Sequence, residues 1–222
     1  MIAGKDILTR THGALVFGRR VGILAANLAK QIPIRAEVLD VGTGDGSIAK
    51  AIALNRPDIK IEGDRRADPR PDTHIPVRLF DGEHIPLSEK TVDVVSFVDV
   101  LHHTSNARIL LREAARVSRC YIEIKDHLRE GPFAKATLQA MDWIGNYGHD
   151  VVLPYNYLSE QEWREHFQDT NLSPEMDGKP WIVLISVLAG LRPTAPLYRT
   201  SNDLLVCQRT FQMTSATRCA PH

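Results

Sequence analysis

The stretch VLDVGTGDG, residues 38–46, joins a short apolar run to three glycines that stand at every second position. The run Glu37–Val41 predicts a strand, and Ser47–Leu54 behind the glycines predicts a helix. Glycine tolerates positive φ and lets a ligand approach the backbone, because it carries no Cβ. The stretch therefore predicts a strand, a tight turn and a helix, with a ligand lying against the turn.

The remainder of the chain alternates short apolar runs with helical periodicity. We predict further strands at 58–63, 76–80, 92–98, 120–124 and 203–208, and helices at 11–30, 107–117, 133–143 and 159–168. Ser159 and Glu162 form the signature of a capping box at the start of the last helix. Short buried strands separated by helical crossovers predict an α/β fold, in which helices cover both faces of a parallel sheet.

Charge and composition exclude several classes of protein. The 222 residues contain 27 Lys and Arg against 27 Asp and Glu, so no net field draws the chain to nucleic acid. The longest apolar run, 181–191, is shorter than the ~20 residues of a membrane span, and we interpret it as core or as a dimer contact. Three widely spaced cysteines argue against a disulfide framework and favour the cytoplasm. We expect a monomer or a homodimer.

Asp40 followed by GxGxG at the end of the first strand resembles the first motif of class I S-adenosylmethionine (SAM)-dependent methyltransferases. The resemblance covers roughly 37–126. It implies a Rossmann-like, seven-stranded, mostly parallel sheet in a single domain, with SAM as cofactor and S-adenosylhomocysteine as product. It divides the chain into an N-terminal helical lid at 1–34, a methyltransferase domain at 35–209 with an acceptor-pocket insertion at about 128–158, and a flexible tail at 210–222.

The same resemblance implies where the cofactor lies. The backbone of the glycine turn packs on its methionine part, and Asp40 serves the amino end. Asp64, with Glu62 in reserve, accepts from the ribose hydroxyls, and Asp81 accepts from the adenine amino group. The complete set of predicted cofactor contacts is Asp40, Gly42, Thr43, Gly44, Gly46, Glu62, Asp64, Asp81, Gly82, Val98 and His103.

The run VDVLHH at 98–103 resembles small-molecule methyltransferases of the ubiquinone and menaquinone type, in which the last histidine faces the reacting methyl group. His102, His103, Asp126 and His127 follow two strands at the same edge of the sheet, so they are candidate acids and bases. One residue of each pair could instead pack under a helix or cap its start. We expect a metal-free reaction, because the sequence contains no HExxH motif and no Cys/His ligand cluster.

The predicted insertion concentrates aromatic and amide groups that suit a small-molecule acceptor with an apolar part. Predicted acceptor contacts are His12, Trp143, Asn146, Tyr155 and Asn156. Alternatively, Trp143 is a core residue and Asn156 binds backbone. Two further readings of the chain remain: Arg65 and Arg66 leave room for an NADP-binding oxidoreductase, and the fold could serve a non-catalytic cofactor-binding protein.

Overall fold

A computed structural model describes residues 18, 21–66, 72–146, 154–170, 172–175, 181–182 and 207–214. Its elements in chain order are α1 (21–31), β1 (Glu37–Val41), α2 (Ser47–Asn55), β2 (Lys60–Arg66), β3 (Val77–Phe80), β4 (Val92–Val98), the 3₁₀ turn η1 (Leu101–His103), α3 (Ala107–Val117), β5 (Ser118–Leu128), α4 (Ala134–Asn146), α5 (Glu160–Asp169), β6 (Ser173–Glu175), β7 (Trp181–Ile182) and β8 (Cys207–Thr214).

The strands form a mixed sheet in the order β3-β2-β1-β4-β5-β8-β6, and β7 also pairs with β8. The five strands from β3 to β5 in this order are parallel, while β8 is antiparallel to its neighbours. The chain proceeds outward from β1 to β3 and then returns to place β4 on the other side of β1. Such a reversal leaves a crevice at the carboxyl ends of β1 and β4, where open α/β sheets bind ligands.

Helices cover both faces of the sheet, because alternate strand residues point to opposite sides. One buried cluster joins Leu39 and Phe97 to side chains of α3 and α5. The other joins Val38 and Val94 to side chains of α1 and α2. This arrangement confirms the predicted α/β, Rossmann-like fold.

The N-terminal helix is part of the packed fold where the structure describes it. Ala25, Leu28 and Ala29 of α1 are buried in the second cluster. The hydroxyl of Tyr121 on β5 also donates a hydrogen bond to the carbonyl of Gln31 at the end of this helix. The lid role predicted for 1–34 stays a prediction.

Several boundaries differ from those predicted. Strands β1 and β4 and helix α3 match their predictions, whereas β5 extends to Leu128 because it pairs with β8 along its length. The final strand was predicted at 203–208 but spans Cys207–Thr214, so the predicted tail at 210–222 is wrong for its first five positions. The alternating sequence CQRTFQMT lacks a continuous apolar run, so its hydrophobicity does not indicate a strand. The described sheet has eight strands instead of seven, because β6 and β7 both pair with β8.

Cys120 at the start of β5 is disulfide-bonded. The sequence argued against a disulfide framework, and one bond among three cysteines does not make such a framework. Disulfides are rare in a reducing cytoplasm, so the bond does not support the predicted compartment. Among the residues that the structure describes, no helix has the length and apolar character to cross a bilayer.

Candidate functional site

The glycine turn lies at the carboxyl end of β1 and is tied to β2. The backbone N–H groups of Gly42 and Thr43 donate to the carbonyl of Asp64, at 2.7 and 3.2 Å. Gly42, Gly44 and Gly46 all have left-handed φ values, 75°, 62° and 78°. Gly46 is also the N-cap of α2. The turn is therefore fixed in a conformation that disfavours residues with a Cβ.

The three glycines serve different purposes. A Cβ on Gly42 would lie 2.6 Å from a side-chain atom of Val100, and one on Gly46 would lie 2.7 Å from Ile75. A Cβ on Gly44 would meet no atom within 4 Å. Gly42 and Gly46 are thus required by packing, whereas the backbone of Gly44 is accessible to a ligand.

Asp40 precedes this turn as a buried carboxylate. Only 4% of the residue is exposed, and its Oδ2 accepts a hydrogen bond of 2.6 Å from the Thr43 hydroxyl. Burial raises the pKa of Asp40 to about 6, although the Thr43 hydrogen bond opposes the shift. In the next strands, Ser96 and Glu123 occupy the same register. Burial, followed by the charge of Asp40, raises the pKa of Glu123 well above its ordinary value.

The carboxylates of β2 are engaged with basic groups. Asp64 is fully buried, and its Oδ1 accepts from Arg78 Nε at 3.1 Å. Burial raises the pKa of Asp64, and Arg78 opposes the shift. Its second oxygen, Oδ2, is buried without a hydrogen-bond partner. Glu62 forms ion pairs with Lys60 at 3.0 Å and Arg78 at 3.7 Å. Between these two residues, only Asp64 thus has an unused buried oxygen.

Asp81 follows β3 in a tight turn. Its Oδ1 accepts from the backbone N–H groups of Glu83 and His84, both at 2.7 Å. Hydrogen bonds from His84 and then Glu83 lower the pKa of Asp81 to about 2. Gly82 has φ 92°, and a Cβ there would lie 3.3 Å from a side-chain carbon of Arg66. This carboxylate is therefore ionised and held in a fixed orientation at the same edge of the sheet.

His102 is clamped between two carboxylates. Its Nδ1 lies 2.5 Å from Asp126 Oδ1, and its Nε2 lies 3.4 Å from Asp142 Oδ2. Burial by itself would lower the pKa of His102, but Asp126 and then Asp142 outweigh it and raise the pKa to about 10. An imidazole with this pKa is a poor base at neutral pH.

Asp126 organises this edge through four hydrogen bonds. Its carboxylate accepts from the backbone N–H groups of Leu101, His102 and His127, and it contacts the His102 ring. Burial would raise the pKa of Asp126, but the charge of His102 and these hydrogen bonds hold it far below its usual range. Asp126 is therefore ionised, and its hydrogen bonds hold η1 and the His102 ring in position.

His103 has the opposite character to its neighbour. The two imidazole rings lie 4.0 Å apart between centroids and are tilted by 44°. Burial, followed by the charge of His102, lowers the pKa of His103 to about 4. Its Nδ1 is buried without a hydrogen-bond partner. At neutral pH this ring is therefore uncharged and offers a lone pair.

The carboxylate of Asp99 contacts two basic side chains, and the sequence did not predict this cluster. Asp99 has a left-handed φ of 56°, which costs ~1–3 kcal/mol in a residue other than glycine. Its carboxylate forms an ion pair with the ammonium of Lys125 and lies 3.3 Å from His127 Nδ1. The position of Lys125, immediately before Asp126 and His127 at a strand end, was the available signal.

The predicted acceptor contacts are only partly brought together. Asn156 binds backbone, as the alternative reading expected: its N–H donates to the His102 carbonyl at 3.1 Å, and its Nδ2 donates to Thr104 at 3.2 Å. The ring centroids of Tyr155 and Tyr157 are 6.3 Å apart, and 57% of Trp143 is exposed. His12 and the side chain of Asn146 lie outside the described residues.

Two further residues at this edge were missed, Asp142 of α4 and Tyr157. The Tyr157 hydroxyl donates to Asp142 Oδ2. The Tyr157 ring stacks on His102 with a centroid distance of 5.5 Å. Both residues contact His102 from distant positions in the sequence, so no sequence motif could predict the contact. Val98 ends β4 and packs against the second core cluster.

The sheet reversal and the glycine turn define a Rossmann-like domain with a ligand crevice at its carboxyl edge. A family model described as "Methyltransferase domain" matches residues 18–175. The chain belongs to this methyltransferase family.

Two curated relatives agree with this assignment. The chain is 26% identical over 170 residues to a 27-O-demethylrifamycin SV methyltransferase of Amycolatopsis mediterranei, over 68% of this chain and 60% of the relative. It is 28% identical over 158 residues to the ubiquinone/menaquinone biosynthesis C-methyltransferase UbiE of Cupriavidus pinatubonensis, over 61% and 63% of the two chains. The chain thus matches less than two thirds of the length of either relative.

A solved structure shows the same fold. A SAM-dependent methyltransferase of Thermotoga maritima superposes with a TM-score of 0.61 at 14% identity, covering 94% of this chain and 96% of the other.

Proposed function

We propose that the protein transfers the methyl group of SAM to a small-molecule acceptor and releases S-adenosylhomocysteine, a reaction of EC class 2.1.1. The observation that carries this proposal is the turn at Gly44, where a left-handed glycine leaves the backbone accessible at the carboxyl end of β1. Family membership supports it. When bound, SAM supplies a methyl group already activated by its sulfonium.

The described residues fit this cofactor. Gly44 gives the methionine part an accessible stretch of backbone, and the carboxylate of Asp40 lies next to the turn to accept from the amino group. The unpartnered oxygen of Asp64 supports it over Glu62 as the ribose acceptor. The ionised carboxylate of Asp81 suits the adenine amino group. An NADP-binding oxidoreductase is not favoured, because the turn has GxGxG spacing and the chain matches a methyltransferase family.

We place the acceptor beside η1, at the ends of β4 and β5. There the uncharged ring of His103 provides the lone pair that activates the acceptor, while Asp126 and the protonated His102 hold η1 in place. The protein otherwise needs to align acceptor and methyl group and to exclude water, and such positioning contributes ~7–11 kcal/mol. A hydroxyl-bearing acceptor with an apolar part fits the polar groups of η1 and the exposed ring of Trp143.

Transfer of a labelled methyl group tests the proposal. Purified protein is incubated with methyl-labelled SAM and a cell extract, and the extract is separated by molecular mass. We expect label in the small-molecule fraction, suppressed by excess S-adenosylhomocysteine and absent with the Gly44→Ala variant. Label confined to protein or nucleic acid, or no label above a protein-free blank, would contradict the proposal.

A further inference from the structure

Three side chains from two separate elements converge beside the site. His102 and His103 belong to η1 and Asp142 belongs to α4, and one potential ligand atom of each lies within 4.8 Å of the other two. We propose that this His–His–Asp triad binds one divalent transition-metal ion of the zinc type. The role we assign to the ion, binding the acceptor's oxygen, rests on the proposed function; its binding does not.

The spacing of the triad suits a metal ion. His102 Nε2 and Asp142 Oδ2 are 3.4 Å apart. Two ligands of a tetrahedral ion bonded at ~2.0–2.1 Å stand ~3.4 Å from each other. By contrast, His102 Nδ1 and Asp126 Oδ1 are 2.5 Å apart, which is a hydrogen-bond distance and too short for two ligands of one ion. The neighbouring group of His102, Asp126 and His127 therefore fits less well.

Asp126 and Tyr157 form hydrogen bonds with two of the proposed ligands, as is common around metal sites. Metal-binding histidines usually donate the other ring N–H to a carboxylate, which fixes the tautomer and orients the ring. Asp126 receives His102 Nδ1 in this way, so the lone pair of His102 is directed from Nε2 toward Asp142. The Tyr157 hydroxyl donates to the same Asp142 oxygen and fixes that carboxylate.

Two buried ring nitrogens of the triad lack a well-formed hydrogen bond. His102 Nε2 and His103 Nδ1 are both buried in this state. A proton on His102 would satisfy its contact with Asp142, but it would leave the buried nitrogen of His103 unused, and such a group costs free energy. A divalent ion takes the place of that proton and engages all three side chains.

The ligand types select the class of ion. Imidazole nitrogens suit Zn²⁺, Co²⁺ and related ions, whereas Mg²⁺ and Ca²⁺ prefer oxygen ligands. Three protein ligands leave a coordination position open, where an acceptor hydroxyl can bind and become more acidic. With the ion bound, this activation replaces the one that the lone pair of His103 supplies in the metal-free protein. The sequence favoured a metal-free reaction because it contains no HExxH motif and no Cys/His ligand cluster, and the triad proposed here forms only through a tertiary contact.

Metal titration of the untagged, chelator-treated full chain tests the triad. We expect Zn²⁺ to bind at one equivalent by calorimetry, and Co²⁺ at the same site to give visible absorption bands. Asp142→Asn and His103→Gln should each weaken Zn²⁺ binding at least ~10-fold. His166→Gln is the matched control, because His166 lies on α5 and contacts the Glu162 carbonyl outside the triad.

The outcomes separate this proposal from the proposed function. No stoichiometric binding, or binding that both triad variants leave unchanged, overturns the metal site. S-adenosylhomocysteine binding is measured on the same samples, so a protein that binds this product and no Zn²⁺ refutes the triad alone. Circular dichroism checks that each variant is folded, and if Asp142→Asn fails this check, His103→Gln decides the question.

Discussion

Replacing Asp40 with asparagine should stabilise the protein at pH 8 and weaken its binding of S-adenosylhomocysteine. The pKa of Asp40 rises from an ordinary 3.8 to about 6 because the carboxyl is buried. This difference corresponds to a cost of ~3 kcal/mol for ionising the group in the folded state. Asparagine avoids that cost and can still accept the hydrogen bond from Thr43.

The sign of the pH dependence follows from linkage. The folded protein holds the Asp40 proton more tightly than the unfolded chain, so the wild type loses stability as the pH rises from about 4 through 6. Asp40→Asn should therefore match the wild type near pH 4 and exceed its free energy of unfolding by up to ~3 kcal/mol at pH 8. Urea denaturation followed by circular dichroism at several pH values measures this difference.

The same variant should bind S-adenosylhomocysteine about 10- to 100-fold more weakly, because a hydrogen bond to a charged group contributes ~1.5–3 kcal/mol. Asp72→Asn is the control, since Asp72 is exposed and its change should alter stability by less than ~0.5 kcal/mol. If Asp40→Asn were less stable than the wild type at pH 8, or bound the product equally well, the role given to this buried carboxylate would be wrong.

Four other substitutions test the packing around the site and the cap of α5 by urea denaturation. Gly44→Ala should lower the free energy of unfolding by only ~1–2 kcal/mol, the cost of an alanine in the left-handed region. Gly42→Ala should cost more, because its Cβ would lie 2.6 Å from a side-chain atom of Val100, and equal losses for the two variants would contradict this division. Asp126→Asn should destabilise the protein by ~3–5 kcal/mol, because it leaves the charge of His102 buried without its partner, and a loss below 1 kcal/mol would refute that clamp. Ser159→Ala should cost ~1 kcal/mol, because it removes the capping box of α5; no loss would show that the cap is not stabilising.

The sequence predicted the parallel half of the fold well, for a local reason. Strands β1 and β4 are largely apolar runs, and helix α3 repeats apolar residues at helical spacing. The capping box of α5 was also confirmed, because both of its partners lie within one turn. Strand β8 was misplaced because its alternating polar sequence shows its role only through pairing with β5.

The sequence predicted those site residues that lie together in one segment. It did not predict the contacts between residues from distant segments. The glycine turn and the two histidines were found from contiguous motifs. The contrast between His102 and His103 could not be predicted, since it depends on carboxylates from β5 and α4. Asp142 is brought next to His102 only by tertiary folding, which no sequence spacing predicts. The positive φ of Asp99 likewise could not be predicted from its sequence.

Calorimetric titration with S-adenosylhomocysteine tests the central claim, which is that the exposed backbone at Gly44 binds the adenosyl cofactor. We predict binding at one site by the wild type, retained by Gly131→Ala and lost by Gly44→Ala. Gly131→Ala is the control, because Gly131 also has a positive φ and neither added Cβ would meet an atom within 4 Å. Undiminished binding by Gly44→Ala, or binding of NADPH in place of the methyltransferase product, would contradict the account.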